Sequence, residues 1–464
     1  MESEDFSMAE IINVDLINSL LEQKPTEAQV DEILDKALNL KGLTLEESAT
    51  LLNVEDDKIL EKVFKAAKKL KEKIYGKRIV LFAPLYLANY CANNCLYCAF
   101  RAANKDMART KLTADEVVEE AKIIMNQGHK RVLLVAGEDL KKCGLDYIQE
   151  IIDKIYEQKV FNGEIRRLNI NIAPLDVEGF KRLAGMGIGT FQSFQETYHP
   201  EVYKEMHISG PKANYQWRLE TMNRAIEGGI KDFGIGALFG LCDYRFEVLS
   251  ILMHADYLDK TYGVGPHTIS IPRIEYAEGS DVSKNPPHAI TDNQFKKIIA
   301  TLRLSVPYTG MILTTRESAK FRKECLELGV SQVSAGSKTD PGGYSNKHAT
   351  PQFQVGDTRS LEEVLMELVE GGYMPSFCTS CYRKGRVGKD FMDLAKPGLI
   401  KRFCNTNAIL TFQEYLNDYA PQELKKAGEA LILKEIEAID DEKIKAEVKS
   451  KLASIQSGQR DMHI

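Results

Sequence analysis

Three cysteines, Cys91, Cys95 and Cys98, lie in one short loop and are the residues of this chain best suited to chemistry. Their spacing is CxxxCxxC, and cysteine thiolates are the usual protein ligands of iron-sulfur clusters. Three thiolates can hold three irons of a 4Fe-4S cubane and leave the fourth iron without a protein ligand. An open iron can bind a small molecule and pass it one electron, so the spacing predicts a catalytic cluster.

A structural zinc site is the alternative for this loop, because CxxC pairs also bind zinc. Such a site needs four closed ligands, and the nearest downstream candidates, His129 and Cys143, lie well beyond the loop. Tyr97, directly before the last cysteine, favours the cluster. The loop resembles that of the radical SAM superfamily, whose open iron binds S-adenosylmethionine (SAM) and whose aromatic residue at this position packs on the adenine.

Cys378, Cys381 and Cys404 form a second set with the pattern CxxC-x22-C. Zinc is again the alternative, although the segment offers no obvious fourth ligand. Given the first set, a second cubane is the simpler interpretation. The basic run 383–386 lies between Cys381 and Cys404, where it either softens the charge of the thiolates or forms a solvated surface.

From residue 78 onward, short apolar strands alternate with amphipathic helices, which is the pattern of parallel βα units. The predicted strands are 79–87, 131–135, 166–172, 189–194, 231–238, 267–271, 310–313 and 330–334. Eight such units predict a closed α/β barrel of the TIM type, with its site at the carboxyl ends of the strands. The CxxxCxxC loop follows the first strand directly and therefore reaches that end.

Helical segments are expected on both sides of the barrel. Residues 28–40 and 44–74 carry apolar positions at helical spacing, and a charged last helix is predicted near 435–452. The turn-rich run 338–344 marks a boundary. Three regions are therefore predicted: a helical N-terminal region (1–75), the barrel (76–340) and a mostly helical C-terminal region that holds the second cysteine set (341–464).

Composition and charge exclude several classes of protein. Charged residues make up 28% of the 464 residues, and no window approaches the roughly 18 apolar residues that span a bilayer. The net charge of -6 argues against nucleic acid as a partner. The acidic start, Met1 to Asp5, lacks the features of a signal peptide, and the clustered cysteines favour metal in a reducing cytoplasm over disulfides. The isolated Cys143, Cys242 and Cys325 are predicted to be small buried hydrophobes.

With an eight-unit barrel between them, the two cysteine sets resemble the family of tyrosine lyases that mature FeFe-hydrogenase. The blocks FQETYHP (194–200), TTRES (314–318) and SAGS (334–337) are similar to that family too, and the resemblance covers nearly the full length. The tyrosine lyase of thiamine biosynthesis is the nearest relative. It shares the barrel but lacks the C-terminal cysteines, so the last hundred residues separate the two interpretations.

The resemblance implies a reaction and its cofactors. SAM on the first cluster yields a 5′-deoxyadenosyl radical, which removes a hydrogen atom from the amino group of L-tyrosine and leads to p-cresol and dehydroglycine. Dehydroglycine supplies CO and cyanide for an iron carbonyl cyanide precursor, built at a second 4Fe-4S cluster with an additional iron bridged by free cysteine. The implied partners are L-tyrosine, free cysteine, an electron-transfer protein such as a ferredoxin or flavodoxin, and other hydrogenase maturases.

The same resemblance assigns residues to SAM. Gly137 and Glu138 follow the second strand at the position that receives the methionyl amino group, and a carboxylate suits an ammonium. Arg218 resembles the arginine that pairs with the SAM carboxylate, with an exposed helix charge as the alternative. Gly236 lies in the fifth strand, which runs past the adenine in this superfamily and where a missing side chain permits close approach.

Two further assignments concern the substrate and the additional iron. Arg316 follows the seventh strand and Ser334 ends the eighth, so both are expected at the barrel mouth, where they bind the tyrosine carboxylate. Their alternatives are a salt bridge to Glu317 and a helix cap. His267, at the sixth strand, is the expected ligand of the additional iron, held near a cluster that the C-terminal region brings over the barrel mouth. His199 and His207 are the other candidates.

Two other functions stay open at this point. One is a tyrosine lyase that stops at dehydroglycine for thiamine biosynthesis. The other is an iron-sulfur carrier or scaffold whose clusters are cargo, although a carrier needs neither Glu138 and Arg218 nor a barrel with a pocket.

Overall fold

A closed barrel of parallel strands forms the centre of the computed structural model, which describes residues 11–346 and 350–464. Its strands are β1 (Arg78–Ala88), β2 (Arg131–Ala136), β3 (Arg167–Asn171), β4 (Phe191–Gln192), β5 (Phe233–Gly236), β6 (Thr268–Ser270), β7 (Gly310–Leu313) and β8 (Gln332–Ser334). They follow chain order around the barrel, and β1 pairs with both β2 and β8. The predicted eight-stranded barrel is confirmed, and the acidic start at Met1 to Asp5 lies outside the described residues.

The strand β1 shows why this sequence forms a barrel strand. All of its residues are buried, because helices cover one face and the barrel interior covers the other. Side chains alternate between these faces. Leu81, Ala83 and Leu85 join the main apolar core, whereas Phe82 and Tyr86 line the interior.

Ten helices of the described chain follow the barrel strands: α5 (Ala114–Asn126), α6 (Leu145–Glu157), α7 (Val177–Ala184), α8 (Pro200–Met206), α9 (Tyr215–Leu219), α10 (Thr221–Glu227), α11 (Tyr244–Tyr262), α12 (Asp281–Lys284), α13 (Asp292–Ser305) and α14 (Ala319–Leu328). Thr113 and Glu116 form a capping box that starts α5. The main apolar core lies between these helices and the strands.

Four helices precede the barrel: α1 (Val14–Leu21), α2 (Glu27–Ala37), α3 (Leu45–Leu52) and α4 (Asp57–Tyr75). The apolar run 44–74 is therefore two helices, not one. Asp56 ends the run because its carboxylate accepts hydrogen bonds from the backbone of Lys58 and Ile59, which starts a new helix. Asn53 closes α3, and its side chain donates to the carbonyl of Leu20 at 3.0 Å.

After the barrel come six helices and one more strand: α15 (Leu361–Glu370), β9 (Met374–Ser376), α16 (Ser380–Arg383), α17 (Lys389–Ala395), α18 (Lys401–Asp418), α19 (Gln422–Glu437) and α20 (Glu442–Gln456). The charged last helix begins later than predicted, because Asp441 caps its start. In the part of the chain that the structure describes, no helix is long and apolar enough to cross a bilayer.

The short strand β9 fixes the position of the second cysteine set. It pairs in parallel with Arg78–Val80, the first residues of β1. Cys378 lies two residues after the end of β9, so it is near the amino ends of the barrel strands. The expectation that the C-terminal region covers the barrel mouth is therefore wrong, because β9 attaches this region to the opposite end.

Candidate functional site

The CxxxCxxC loop crosses the carboxyl ends of the strands and is held there by two neighbouring loops. Ala92 N donates to Glu138 O at 3.1 Å, and Asn94 N donates to Ser209 O at 2.9 Å. Gly210 has φ 95°, and a β-carbon on it would overlap the carbonyl oxygen of Ala92, so this close contact needs glycine. These contacts hold the loop in place against its two neighbours.

The three thiols of the loop face a cavity at this end of the barrel, called the upper cavity. Its lining also includes Tyr86, Asn93, Glu138, Glu196, Lys212, Arg218, Arg316, Ser334, Gln352 and Phe353. Among the described residues, no three His, Cys, Asp or Glu side chains are grouped as a site for a single metal ion. Three cysteines on one wall of an open cavity are a donor set that fits a 4Fe-4S cluster. Burial raises the pKa of Cys91 to about 11, so its thiol ionises as it binds metal.

A buried network of charges lies beside the thiols. Glu138 accepts hydrogen bonds from Arg218 at 2.8 Å and from Asn93 at 2.9 Å. Lys212 pairs with Glu196 at 2.7 Å and lies 3.7 Å from Glu138. The alternative of Arg218 as an exposed charge is thus wrong, since its side chain is only 3% exposed.

The network favours the ionised forms of Glu138 and Lys212. Burial favours the neutral form of Glu138, but the charges of Arg218 and Lys212 outweigh burial and hold the pKa of Glu138 below its ordinary value. The pKa of Lys212 is raised in turn, because Glu196 and Glu138 outweigh its burial and the repulsion by Arg218. The upper cavity therefore presents fixed charges of both signs, as a zwitterionic ligand requires.

Of the other residues assigned to SAM, Tyr97 and Gly137 line the upper cavity and Gly236 does not. Tyr97 is buried, lines the upper cavity, and its hydroxyl is 2.9 Å from His207 Nε2. Gly137 lines the cavity too, and a β-carbon on it would overlap the carbonyl oxygen of Tyr90. For Gly236, an added β-carbon would overlap the carbonyl oxygen of Ser270 on the next strand, so barrel packing alone already explains this glycine.

Arg316 and Ser334 both line the upper cavity. The guanidinium of Arg316 lies 3.3 Å from the ring centroid of Phe353. Glu317, the expected structural partner of Arg316, pairs instead with Arg273 at 2.9 Å. Ser334 caps no helix; its hydroxyl accepts a hydrogen bond from Thr315 N at 3.2 Å.

A second cavity, called the lower cavity, lies at the amino ends of the strands. Cys378, Cys381, Cys404 and His267 all line it. Three buried arginines complete one side of this cavity: Arg78, Arg131 and Arg167. Each is the first residue of its strand. Thiolate-ligated clusters carry negative charge, and this cationic lining fits such a group.

His267 is the histidine that shares a cavity with the second cysteine set. Its ring packs 4.0 Å from that of Phe391, and its Nδ1 lies 3.6 Å from Asp232. Burial lowers the pKa of His267 to about 4, which keeps the imidazole neutral. The other two candidates lie elsewhere: His207 forms a β-bridge with Cys95, and His199 packs on Phe246.

The electrostatics of the second cysteine set favour a thiolate. A hydrogen bond from Cys381 and the charges of Arg78, Arg386 and Arg131 hold the pKa of Cys404 below its ordinary value against the effect of burial. Within the basic run, Arg386 thus acts on the thiols. Arg383, in contrast, pairs with Asp461 on the C-terminal tail at 2.6 Å.

Sequence reasoning missed several residues of both cavities. Glu196 carried a usable signal, because it follows the fourth barrel strand and such strand ends form the site of a TIM-type barrel. Its backbone is also left-handed, with φ 70°, which non-glycine residues seldom adopt. Lys212 lies in a single 3-10 turn (Pro211–Ala213) and Gln352 in an irregular segment, and both are too short for a periodic pattern to mark these residues.

The barrel and the cysteine loop after its first strand define a radical SAM enzyme. The profile of the Radical SAM superfamily matches residues 85–247, and that of the Biotin and Thiamin Synthesis associated domain matches residues 270–374. Membership implies that the chain binds a 4Fe-4S cluster and SAM.

Solved structures and curated proteins narrow the class to one family. A crystal structure of HydG, a maturase of the FeFe-hydrogenase, is 50% identical, covers 98% of this chain and 100% of its own, and superposes with a TM-score of 0.95. HydG from Carboxydothermus hydrogenoformans is 44% identical over 94% of this chain and 96% of its own, with a TM-score of 0.82. The 2-iminoacetate synthase of Salmonella typhimurium is 33% identical over 344 residues, 74% of this chain and 89% of that protein. This chain belongs to the HydG family.

Proposed function

We propose that this enzyme cleaves the Cα–Cβ bond of L-tyrosine to p-cresol and dehydroglycine, and converts dehydroglycine to CO and cyanide for an iron carbonyl cyanide precursor of the FeFe-hydrogenase site. The observation that carries the proposal is the pairing of two cysteine-lined cavities, one at each end of a single barrel. One cavity suits radical cleavage of an amino acid, and the other suits assembly on iron.

In the upper cavity, Cys91, Cys95 and Cys98 would hold the first cluster. When bound, the cluster and SAM supply a 5′-deoxyadenosyl radical that takes a hydrogen atom from the substrate amine. Glu138 orients the ammonium of SAM, since a carboxylate has about four acceptor sites and the described side-chain donors use two. Arg218 neutralises Glu138 and would pair with the carboxylate of SAM from the wall of the same cavity.

The tyrosine carboxylate binds to Arg316 and Ser334 in our proposal. Arg316 lacks a carboxylate partner among the described ion pairs, and its charge lies on the face of Phe353, which leaves its N–H groups for a substrate anion. Ser334 adds a hydroxyl donor on the neighbouring strand.

The lower cavity is proposed to hold the second 4Fe-4S cluster on Cys378, Cys381 and Cys404. His267, neutral and in the same cavity, would bind the additional iron through its imidazole, with free cysteine as the bridge. The buried arginines Arg78, Arg131 and Arg167 would stabilise the negative charge of thiolates and cyanide.

The likeness to 2-iminoacetate synthase supports a second candidate, a lyase that stops at dehydroglycine for thiamine biosynthesis. The lower cavity favours the maturase, because a lyase that only releases dehydroglycine has no use for a second cysteine set. An iron-sulfur carrier is disfavoured by the buried charge network around Glu138, which serves no purpose in a scaffold.

The proposal is tested with anaerobically reconstituted protein given SAM, L-tyrosine, free cysteine and a chemical reductant. We expect p-cresol by chromatography, and CO by binding to a haem protein. In the cell, we propose a cytoplasmic, reducing setting, reduction by a ferredoxin or flavodoxin, and transfer of the product to other maturases. Formation of p-cresol without any CO or cyanide would favour the thiamine function instead.

A further inference from the structure

Gln352 belongs to the segment after the barrel, yet its side chain reaches the first cysteine set. Its Nε2 donates to Cys98 Sγ at 3.8 Å, and its Oε1 accepts from the hydroxyl of Tyr86 at 2.8 Å. A thiolate has no proton to donate, so the amide must turn its N–H toward Cys98. The phenol then donates to the other end of the amide, and both partners are satisfied at once.

The backbone around Gln352 is fixed on both sides. Gln352 N donates to Thr339 O at 2.9 Å, and the hydroxyl of Thr339 donates to Phe353 O at 3.0 Å. Gln354 N donates to Tyr276 O at 2.8 Å. Phe353 is buried under the guanidinium of Arg316. The amide donor is therefore held in place by its neighbours.

We propose that Gln352 is a positioning residue that sets the reduction potential of the catalytic cluster through its hydrogen bond to Cys98. Hydrogen bonds to the sulfur ligands are one of the factors that set the potential of an iron-sulfur cluster. A donor stabilises the more negative, reduced cluster more than the oxidised one, so this bond raises the potential. The inference rests on the proposed binding of the cluster by Cys98.

The test compares Gln352→Leu and Gln352→Glu with Gln354→Leu in the reconstituted holoenzyme. Both changes at Gln352 remove the N–H donor, whereas Gln354 is an exposed residue of the same segment. Potentials are measured by EPR-monitored titration of the cluster whose reduced signal changes when SAM is added. We expect a shift to more negative potential in both Gln352 variants and none in Gln354→Leu, with equal iron content. Unchanged potentials in the Gln352 variants would overturn the inference.

Tyr86→Phe separates the hydrogen bond to sulfur from simple packing. This change removes the partner of Oε1 but leaves the N–H of Gln352 in place, so we expect a smaller shift of the potential than in Gln352→Leu. Equal shifts in the two variants would mean that Gln352 acts only by holding Tyr86.

A measurement on the wild-type protein does not depend on how the variants fold. With glutamine labelled by 15N at the side-chain amide, pulsed EPR of the reduced cluster should detect a coupling to that nitrogen. Absence of the coupling in wild-type protein would overturn the inference. Absence of iron from the first cysteine set would instead overturn the proposed cluster site, and iron analysis distinguishes these two failures.

Discussion

At the scale of single residues, Arg316 is the side chain on which substrate binding depends most. A hydrogen bond to a charged group contributes about 1.5 to 3 kcal/mol, so we expect Arg316→Met to raise the KM for tyrosine roughly 10- to 150-fold. The KM of Arg316→Lys should lie between those of the wild type and Arg316→Met, because lysine keeps the charge but cannot bind the carboxylate in a bidentate manner. The affinity for SAM, measured by equilibrium binding, serves as the control and should not change. A KM equal to that of the wild type would remove Arg316 from the substrate site.

His267 is the residue that distinguishes assembly on iron from tyrosine cleavage. In His267→Ala we expect both cubanes and p-cresol formation to persist, because the upper cavity is untouched. The EPR signal of the additional high-spin iron and the infrared bands of iron-bound CO and cyanide should disappear.

His199→Ala is the matched control, since His199 lies on Phe246 and outside the lower cavity. Its infrared bands should be normal. Normal bands in His267→Ala would make His267 a structural histidine.

At the scale of elements, the loop that contains Gly210 clamps the CxxxCxxC loop against the barrel. Gly210→Ala would place a β-carbon on the carbonyl oxygen of Ala92 and 2.7 Å from the Cα of Asn93. We therefore expect less iron at the first cysteine set, measured as a weaker SAM-responsive EPR signal, with the second cluster unchanged.

Gly187→Ala is the control for backbone strain. Gly187 also has a left-handed backbone, with φ 75°, but an added β-carbon meets nothing within 4 Å. Gly187→Ala therefore has the same conformational cost as Gly210→Ala, roughly 1 to 2 kcal/mol, but no overlap with a neighbouring atom. An intact first cluster in Gly210→Ala would show that the clamp is not needed.

Elements with a strong pattern could be predicted from the sequence, and the weakest could not. The eight barrel strands are apolar runs between amphipathic helices, so their order and closure followed from the pattern. Strand β9 has three residues with Pro375 among them, and it exists because the start of β1 offers free hydrogen-bonding groups. Because β9 was not predicted, the second cysteine set was expected at the wrong end of the barrel.

Within the candidate site, the sequence could predict residues that are close together in the chain. The spacing of the first cysteine set marked one loop, and Glu138 could be placed because it follows the end of a predicted strand. The network of Lys212 and Glu196, and the contact of Gln352 with Cys98, join residues far apart in the chain. Only the folded barrel brings them together.

At the scale of the whole molecule, the barrel separates two chemistries. Its carboxyl ends present one cysteine set with a charge network suited to a zwitterionic ligand, and its amino ends present the other with three arginines. The described chain supplies each cavity with its own side chains, and the strands between them form a common wall. The central claim is that radical cleavage belongs to the upper cavity and assembly on iron belongs to the lower one.

The most direct test of this claim measures both products of one double variant, Cys378→Ala with Cys381→Ala. Wild-type protein should hold about eight irons in two cubanes, apart from the additional iron, and the variant should lose only the second cluster with that iron. We predict that it still forms p-cresol from tyrosine while CO falls sharply. Retention of about eight irons would contradict the second cluster site. Loss of p-cresol while SAM cleavage persists would contradict the division of labour between the two ends of the barrel.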